Sequence, residues 1–465
     1  MSILNIDYNC VAVIGCQYGD EAKGKCVDEI IKSFEANNEN IYCVRFNGGS
    51  NAGHSIYIDN VLYDTHILPS GILTQKCTNI IGDGTVINIT QFFSELNKLQ
   101  DKATIHNIKL GNILISDKAT LTLFVHKFID SVEGKQFGST GSGISQTIAD
   151  KANRFGIQLY EFQTDKWKEH IIALYDKYKL KYDKQLYNFN YKLKYYENDN
   201  EEITFFHIDD MMNWEINYIE SKLESLKLFI TNTAGLLNNL DLNIPIVFEG
   251  ANSIMLDPHV GYPNCTATCC TIGGLLSGSG INIKFLTKRN FKIIGVVKGY
   301  ITRVGTGFLI TEDFGTDGQI LQSTGNEFGV TTGRIRRTGW FDIPLIKYTN
   351  TMIGCDYLNI TKLDVMSKFE KVKICIAYKH KITNIIHDKR LFNDNESYNY
   401  DPIYEEFDGW KDFDFSKCNV YDDLHPNVKT FIEYIEINTG IQVRYINTGR
   451  ETGQLIDRNM NSNVN

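Results

Sequence analysis

Cys10-Val-Ala-Val-Ile-Gly15, followed closely by Gly19-Asp-Glu-Ala-Lys-Gly-Lys25, decides how this chain folds. The first six residues form an unbroken apolar run, which reads as a buried strand. Beyond the glycines, Val27, Ile30, Ile31 and Phe34 recur at helical spacing. Strand, glycine loop and helix in that order place the first amides of a helix against an anionic group. The loop fits Gly-x-x-x-x-Gly-Lys, a phosphate-binding pattern, but Cys26 stands where such loops carry Ser or Thr for magnesium. Two carboxylates, Asp20 and Glu21, lie inside it. They would repel a phosphate unless a cation or a proton transfer required one of them, so one is a candidate metal ligand or base. A glycine-rich turn with solvated charges is the plainer alternative.

Outward from this unit, short apolar strands are expected at Tyr42 to Phe46, Thr78 to Ile81, Ile113 to Ile115, Pro245 to Phe248, Ile293 to Val297, Tyr357 to Ile360, Val372 to Ala377 and Val443 to Ile446. Helical patterns separate several of them, which predicts an α/β fold on a mostly parallel sheet. Residues 160–240 differ: Lys, Tyr, Asn and Glu dominate and Gly is almost absent, so a helical insertion is expected there. The polar run Asn393 to Asp414 reads as a surface excursion. A length of 465 residues permits about three domains. Glycine-rich passages at 48–53, 138–143, 273–280 and 305–307 are spread along the whole chain, however, and favour one large domain, 1–465, whose loops line a common site.

The formal net charge of -9 disfavours nonspecific binding to nucleic acid or an anionic membrane. No stretch approaches eighteen apolar residues, so no membrane span is expected. The eleven cysteines form no Cys-x-x-Cys pair, which fits a reducing, cytoplasmic compartment. Cys265, Cys269 and Cys270 are expected as small core or turn residues.

Four further stretches carry candidate chemistry. Asn47-Gly-Gly-Ser-Asn-Ala-Gly-His54 joins small residues to amides and an imidazole, suiting close approach to a ligand, although a lone His is as often structural. Ser139-Thr-Gly-Ser-Gly143 suits a monophosphate or, equally, a linker. Thr331-Thr-Gly-Arg-Ile-Arg-Arg337 gathers three guanidinium groups, which in an acidic protein favours a carboxylate or phosphoryl ligand over a solvated loop. Thr361-Lys-Leu-Asp364 ends an apolar strand; its carboxylate could accept from guanine N1 and N2 or form a strand-edge ion pair.

In order along the chain, Gln17-Tyr-Gly-Asp-Glu-Ala-Lys-Gly-Lys25, Asn51-Ala-Gly-His54, Leu68-Pro-Ser-Gly-Ile72, Glu249-Gly-Ala251, Thr302-Arg-Val-Gly305, Gly325-Asn-Glu-Phe-Gly329, Arg337-Thr-Gly-Trp340 and Thr361-Lys-Leu-Asp-Val365 resemble the adenylosuccinate synthetase family. The likeness spans the chain and is weakest over 160–240 and 380–425. It implies a homodimer and a GTP- and magnesium-dependent ligase that joins IMP to L-aspartate, giving adenylosuccinate, GDP and phosphate through a 6-phosphoryl-IMP intermediate. That reaction is the first committed step from IMP to AMP.

The resemblance also implies roles. Asp20 is the base and, with the Gly53 carbonyl, a magnesium ligand; His54 is the acid, and Asn252 contacts the purine. IMP would be held by Asp20, Glu21, Lys23, Asn51, His54, Thr140, Asn252, Thr266 and Arg334, with Arg154 reaching across the dimer. L-Aspartate would meet Val304, Thr331, Thr332, Arg334 and Arg336. GTP would lie on Gly19, Asp20, Glu21, Ala22, Lys23, Gly24, Lys25, Gly53, His54 and Arg336, its guanine on Lys362, Leu363, Asp364, Asn447, Thr448 and Gly449. The chain departs from the family at several positions: Asn252-Ser253 replaces Gln-Gly, Ser142 replaces Arg, and Asn447-Thr-Gly-Arg450 replaces Ser-Thr-Gly-Pro. Ala22 replaces Gly, a change without cost where φ is negative. A GTP-binding switch protein leaves Asp20, His54 and the arginine loop unexplained; an ATP-dependent ligase or kinase would differ in its nucleotide.

Overall fold

The computed structural model describes residues 4–134, 139–186, 189–195, 201–261, 266–305, 307–328, 333–390 and 394–459. Its frame is a ten-stranded sheet. From edge to edge the strands are Ile230–Thr231, Asn112–Ser116, Cys77–Ile81, Ile41–Arg45, Ile246–Ser253, Cys10–Gly15, Phe291–Lys298, Tyr357–Thr361, Gln442–Asn447 and Leu455–Asp457. The first nine run parallel and Leu455–Asp457 turns back antiparallel.

Cys10–Gly15 lies near the middle and is buried at every residue, as an all-apolar strand covered on both faces must be. Cys10, Ala12 and Ile14 share a core with Val44, Phe248 and Leu358. Val11 and Val13 pack with Val27, Ile30 and Ile31 of the helix Lys23–Glu35 on the other face. Since nine strands point the same way, the loops after Gly15, Arg45, Ser253, Lys298, Thr361 and Asn447 all open at one end of the sheet. That is where ligands bind in parallel α/β folds.

Two expectations are corrected. Residues 160–240 are not purely helical. The helices Trp167–Lys181 and Ile208–Lys227 are joined through an antiparallel hairpin, Tyr191–Tyr195 with Glu201–Phe205, and Ile230–Thr231 closes one edge of the main sheet. Tyr191-Lys-Leu-Lys-Tyr195 alternates with period two, and its aromatic residues dock inward: Tyr191 meets Phe124 and Tyr195 meets Trp214. Trp167, Ile171, Leu174, Tyr175 and Tyr178 form the buried stripe of the first helix.

The polar run 393–414 is no mere excursion either. Tyr400–Asp408 is a strand paired antiparallel with Lys371–His380 in a second, five-stranded sheet with Tyr300–Arg303, Arg337–Asp342 and Ile386–His387. The expected strand at Val372 to Ala377 therefore belongs to this smaller sheet. Its outer strand is charged because an exposed edge must not recruit other strands.

Candidate functional site

After Gly15 the chain turns through Gly19 (φ 102°), Asp20 (φ 60°) and Ala22 (φ 68°) and enters the helix Lys23–Glu35. Ala22 does not meet the condition of negative φ. Left-handed backbone at a residue with a Cβ costs about 1–2 kcal/mol, so the turn holds strain where a ligand is expected. Among the described residues no side chain caps this helix, leaving its first amides open to an external acceptor. Gly24 allows the helix to approach its neighbours, for a Cβ there would lie 2.7 Å from His54 Cβ.

The two loop acids differ in environment. Glu21 is wholly buried and committed to the turn: it accepts from the amides of Gln17 (3.2 Å) and Gly19 (2.9 Å), from Lys23 Nζ (2.8 Å) and from Ser253 Oγ (2.6 Å). Burial pushes its carboxyl up, but the Lys23 charge and these hydrogen bonds outweigh that and hold it below the usual carboxylate range. Asp20 is exposed. Arg336 Nε lies 2.8 Å from its Oδ2, off the hydrogen-bonding line, as a contact between charges. Lys25 is spent on the chain itself, donating to the carbonyls of Gly449 (2.6 Å) and Gln454 (2.8 Å); burial draws its pKa down to about 8.

His54 begins the strand His54–Ile58 and is buried, with Nδ1 hydrogen-bonded to Glu249 Oε1 and 3.3 Å from Ser70 Oγ. Glu249 also accepts from the Ser70 amide (2.8 Å). Burial raises its carboxyl, yet His54, Arg45 and Ser70 together bring it down to about 2. Nothing in the sequence reading gave Glu249 a role. The signal was present, since a carboxylate inside the apolar run Ile246-Val-Phe-Glu249 must find a partner. Asn47 ties this loop to the same strand, accepting from the Ala251 amide (2.8 Å) and donating to the carbonyls of Ala251 (3.2 Å) and Cys269 (2.9 Å). Asn252, at φ 61°, carries a buried Nδ2 with no partner among the described residues.

Arg336 also donates through Nη1 to Glu327 (2.8 Å), whereas Arg337 serves the scaffold, bonding Glu312 (2.7 Å) and the Gly307 carbonyl. Arg334 and Val304 are half-buried; Thr331 and Thr332 lie outside the described residues. Lys362 (φ 62°) donates to the Gly325 carbonyl (2.9 Å), Leu363 is core, and Asp364 is half-buried. Adjacent in the sheet, Asn447 presents a buried Oδ1 without a partner among the described residues. The candidate guanine-reading residues thus come from neighbouring strand ends.

The candidate monophosphate residues form a second group. Thr140 and Ser142 hydroxyls lie 2.8 Å apart, and the Gly143 amide donates to Asp130 (2.9 Å) before the helix Ile144–Ala152. Gly49 brings this group against the first, since a Cβ there would stand 2.6 Å from Ile144 Cδ1. Asn51 Oδ1 accepts from the Gly49 amide (3.2 Å) on that seam. Thr266 Oγ1 donates to the carbonyls of Leu256 and Thr268, both at 3.1 Å. Arg154 (φ 66°) is exposed, and its guanidinium makes no hydrogen bond or ion pair among the described residues.

No three His, Cys, Asp or Glu side chains converge on one point among the described residues. Cys270 is buried and Cys269 half-buried, while Cys265 lies outside them.

The family model for adenylosuccinate synthetase matches residues 12–456. Adenylosuccinate synthetase of Plasmodium falciparum (isolate 3D7) is 35% identical over 484 residues, covering 99% of this chain and 98% of the relative. That of Lodderomyces elongisporus is 34% identical over 467 residues, covering 97% and 99%. Among solved structures, the fully ligated enzyme of P. falciparum superposes with a TM-score of 0.82 at 34% identity, covering 97% of this chain and 100% of the other. Cyanophage S-2L succinoaminodeoxyadenylate synthetase, bound to dGMP and dATP, shares the fold alone at 16% identity, with a TM-score of 0.59 and coverage of 97% and 95%.

Proposed function

The chain belongs to the adenylosuccinate synthetase family, and from that premise we propose how its residues divide the joining of IMP to L-aspartate at the expense of GTP. The observation that carries the assignment is the exposed Asp20 carboxylate, held at the mouth of an anion-binding turn whose other acid, Glu21, is already consumed.

Asp20 removes the N1 proton of IMP, and the 6-oxygen attacks the γ-phosphorus of GTP, giving 6-phosphoryl-IMP and GDP. Glu249 accepts from Nδ1–H of His54 and so favours the doubly protonated ring, whose Nε2–H then donates to the transferring phosphoryl group. The amine of L-aspartate then adds at C6 and phosphate leaves. The unpartnered Nδ2 of Asn252 is a donor available to the purine in place of the family's Gln. Arg334 and Arg336, with Val304, Thr331 and Thr332, receive L-aspartate; Lys362, Asp364 and Asn447 read guanine.

A magnesium ion fits this donor set. Asp20 offers one hard, exposed oxygen, and a magnesium site commonly completes its shell with a backbone carbonyl such as that of Gly53, phosphates and water. Bound there, it would neutralise charge on the triphosphate. The exposed Arg154 with its left-handed backbone supports a role across a homodimer, where it would meet the IMP phosphate beside Asn51, Thr140 and Thr266. The scattered free thiols support a cytoplasmic setting, and among the described residues no helix is long and apolar enough to cross a membrane.

Phosphate release measured with GTP, IMP and L-aspartate omitted in turn tests the whole assignment: phosphate without IMP would end it. Asp20→Asn should keep IMP binding while turnover falls by roughly 10²–10⁴-fold. Retained turnover would remove Asp20 from its role.

A further inference from the structure

Glu327 has no part in the steps above, yet it is fully buried at the meeting point of the site's cations. Its carboxylate accepts from Arg336 Nη1 (2.8 Å) and Tyr300 Oη (2.5 Å) and pairs with the equally buried Lys298 Nζ (3.3 Å). The Arg336 amide donates to the Glu327 carbonyl (2.9 Å), so backbone and side chain of the two residues are fastened together. The cluster is also tied to the glycine turn. Gln17 donates to the carbonyls of Lys298 (3.3 Å) and Tyr300 (3.2 Å) and accepts from the Lys298 amide (3.1 Å).

The outcome is a line of alternating charge, Lys298, Glu327, Arg336, Asp20, that runs from the core to the mouth of the site. Burying ions for stability alone is a poor strategy, since well-packed apolar residues do as well or better. A buried carboxylate does fix the plane of a guanidinium, which on its own flexible stem would sample many orientations.

We propose that Glu327 is a positioning residue for L-aspartate capture: it holds Arg336 by Nη1 and so sets the distance between the guanidinium that receives the amino acid and the carboxylate of Asp20. The proposal rests on the assignment of Arg336 to L-aspartate. With Glu327 neutralised, Arg336 keeps only its contact with Asp20 and is free to swing outward, and the amino acid loses a preset partner.

Glu327→Gln keeps the shape and removes the charge. The expected result is a KM for L-aspartate raised about tenfold or more, with the KM for IMP within about threefold. In a cycle with Arg336→Lys, the second substitution should add little to the first, because both act through one guanidinium. A Glu327→Gln protein that melts earlier but keeps its L-aspartate KM overturns the proposal, as do fully additive effects in the cycle. Should Glu327→Gln fail to fold, Tyr300→Phe removes one hydrogen bond to the same carboxylate. A rise of about two- to fivefold in L-aspartate KM alone supports the proposal and an unchanged KM overturns it. Arg336→Lys separates the two layers: if it leaves L-aspartate KM unmoved, the earlier assignment fails and this one with it. If it raises that KM while Glu327→Gln does not, only Glu327 loses its role.

Discussion

Two buried histidine–carboxylate pairs stand among the described residues, and they differ in what remains unspent. His126 beside the insertion uses both ring nitrogens: Nδ1 accepts from the Leu123 amide (2.9 Å) and Nε2 bonds Asp150 (3.1 Å). Asp150 is further engaged by Tyr178 Oη (2.7 Å) and by Lys177. His54 in the candidate site spends Nδ1 on Glu249, and no described residue bonds its Nε2. Both acids are drawn down to about 2 against the cost of burial. A depressed carboxyl therefore does not separate the two pairs; the ring nitrogen left without a described partner does, and it supports the role proposed for His54.

The sharpest way to break this comparison is Glu249→Gln. It should lower turnover by about 10²–10³-fold with the fold intact by circular dichroism, because His54 loses the anion that orients it. Asp150→Asn should do the reverse. A loss of about 3 kcal/mol in urea unfolding is expected, with turnover per folded molecule within about twofold. If Asp150→Asn cripples catalysis and leaves stability alone, the two pairs have been assigned the wrong way round.

Acid sharpens the same contrast. The Asp150 carboxyl is pushed up by burial but held lower by His126, Lys177 and Tyr178, ending near 2 against an ordinary 3.8. Its contribution to stability is thus complete above about pH 4 and lost as pH falls toward 2. The gap in urea midpoint between wild type and Asp150→Asn should narrow across that window. The smallest effect concerns backbone strain in the site. Ala22→Gly relieves a left-handed residue and should change stability by about 1 kcal/mol or less, a gain offset by the greater freedom of glycine when unfolded. A calorimetric midpoint lowered by many degrees would show that the Ala22 methyl group holds a contact beyond its own backbone.

Much of this architecture could be read from residues alone, for local reasons. Cys10–Gly15, the glycine turn and the helix after it are continuous in sequence, so spacing reveals them. The eight expected strands all appear, seven within three residues of their expected ends, while the one expected to stop at Phe248 runs on to Ser253. What escaped depends on distant partners. Glu249 and Glu327 look like isolated acids until His54, 195 residues away, and Lys298, 29 residues away, fold beside them. Tyr400–Asp408 hid because an edge strand is charged for the same reason a loop is. The hairpin at Tyr191–Tyr195 was masked by lysines on its outer face, although Tyr, Leu and Tyr alternate. Ala22 could not disclose its φ, since the same residue is ordinary in any other turn.

The lysine that closes the glycine motif has a consequence for how this protein is born. Lys25 is anchored on the carbonyls of Gly449 and Gln454, 424 and 429 positions later. Asn5 and Asp7 are likewise tied to Asp457 and Arg444. During synthesis, the turn must wait for a segment more than four hundred residues further on before its lysine can make these two bonds. The final form of this turn is therefore set by long-range folding, and its local sequence alone does not complete it.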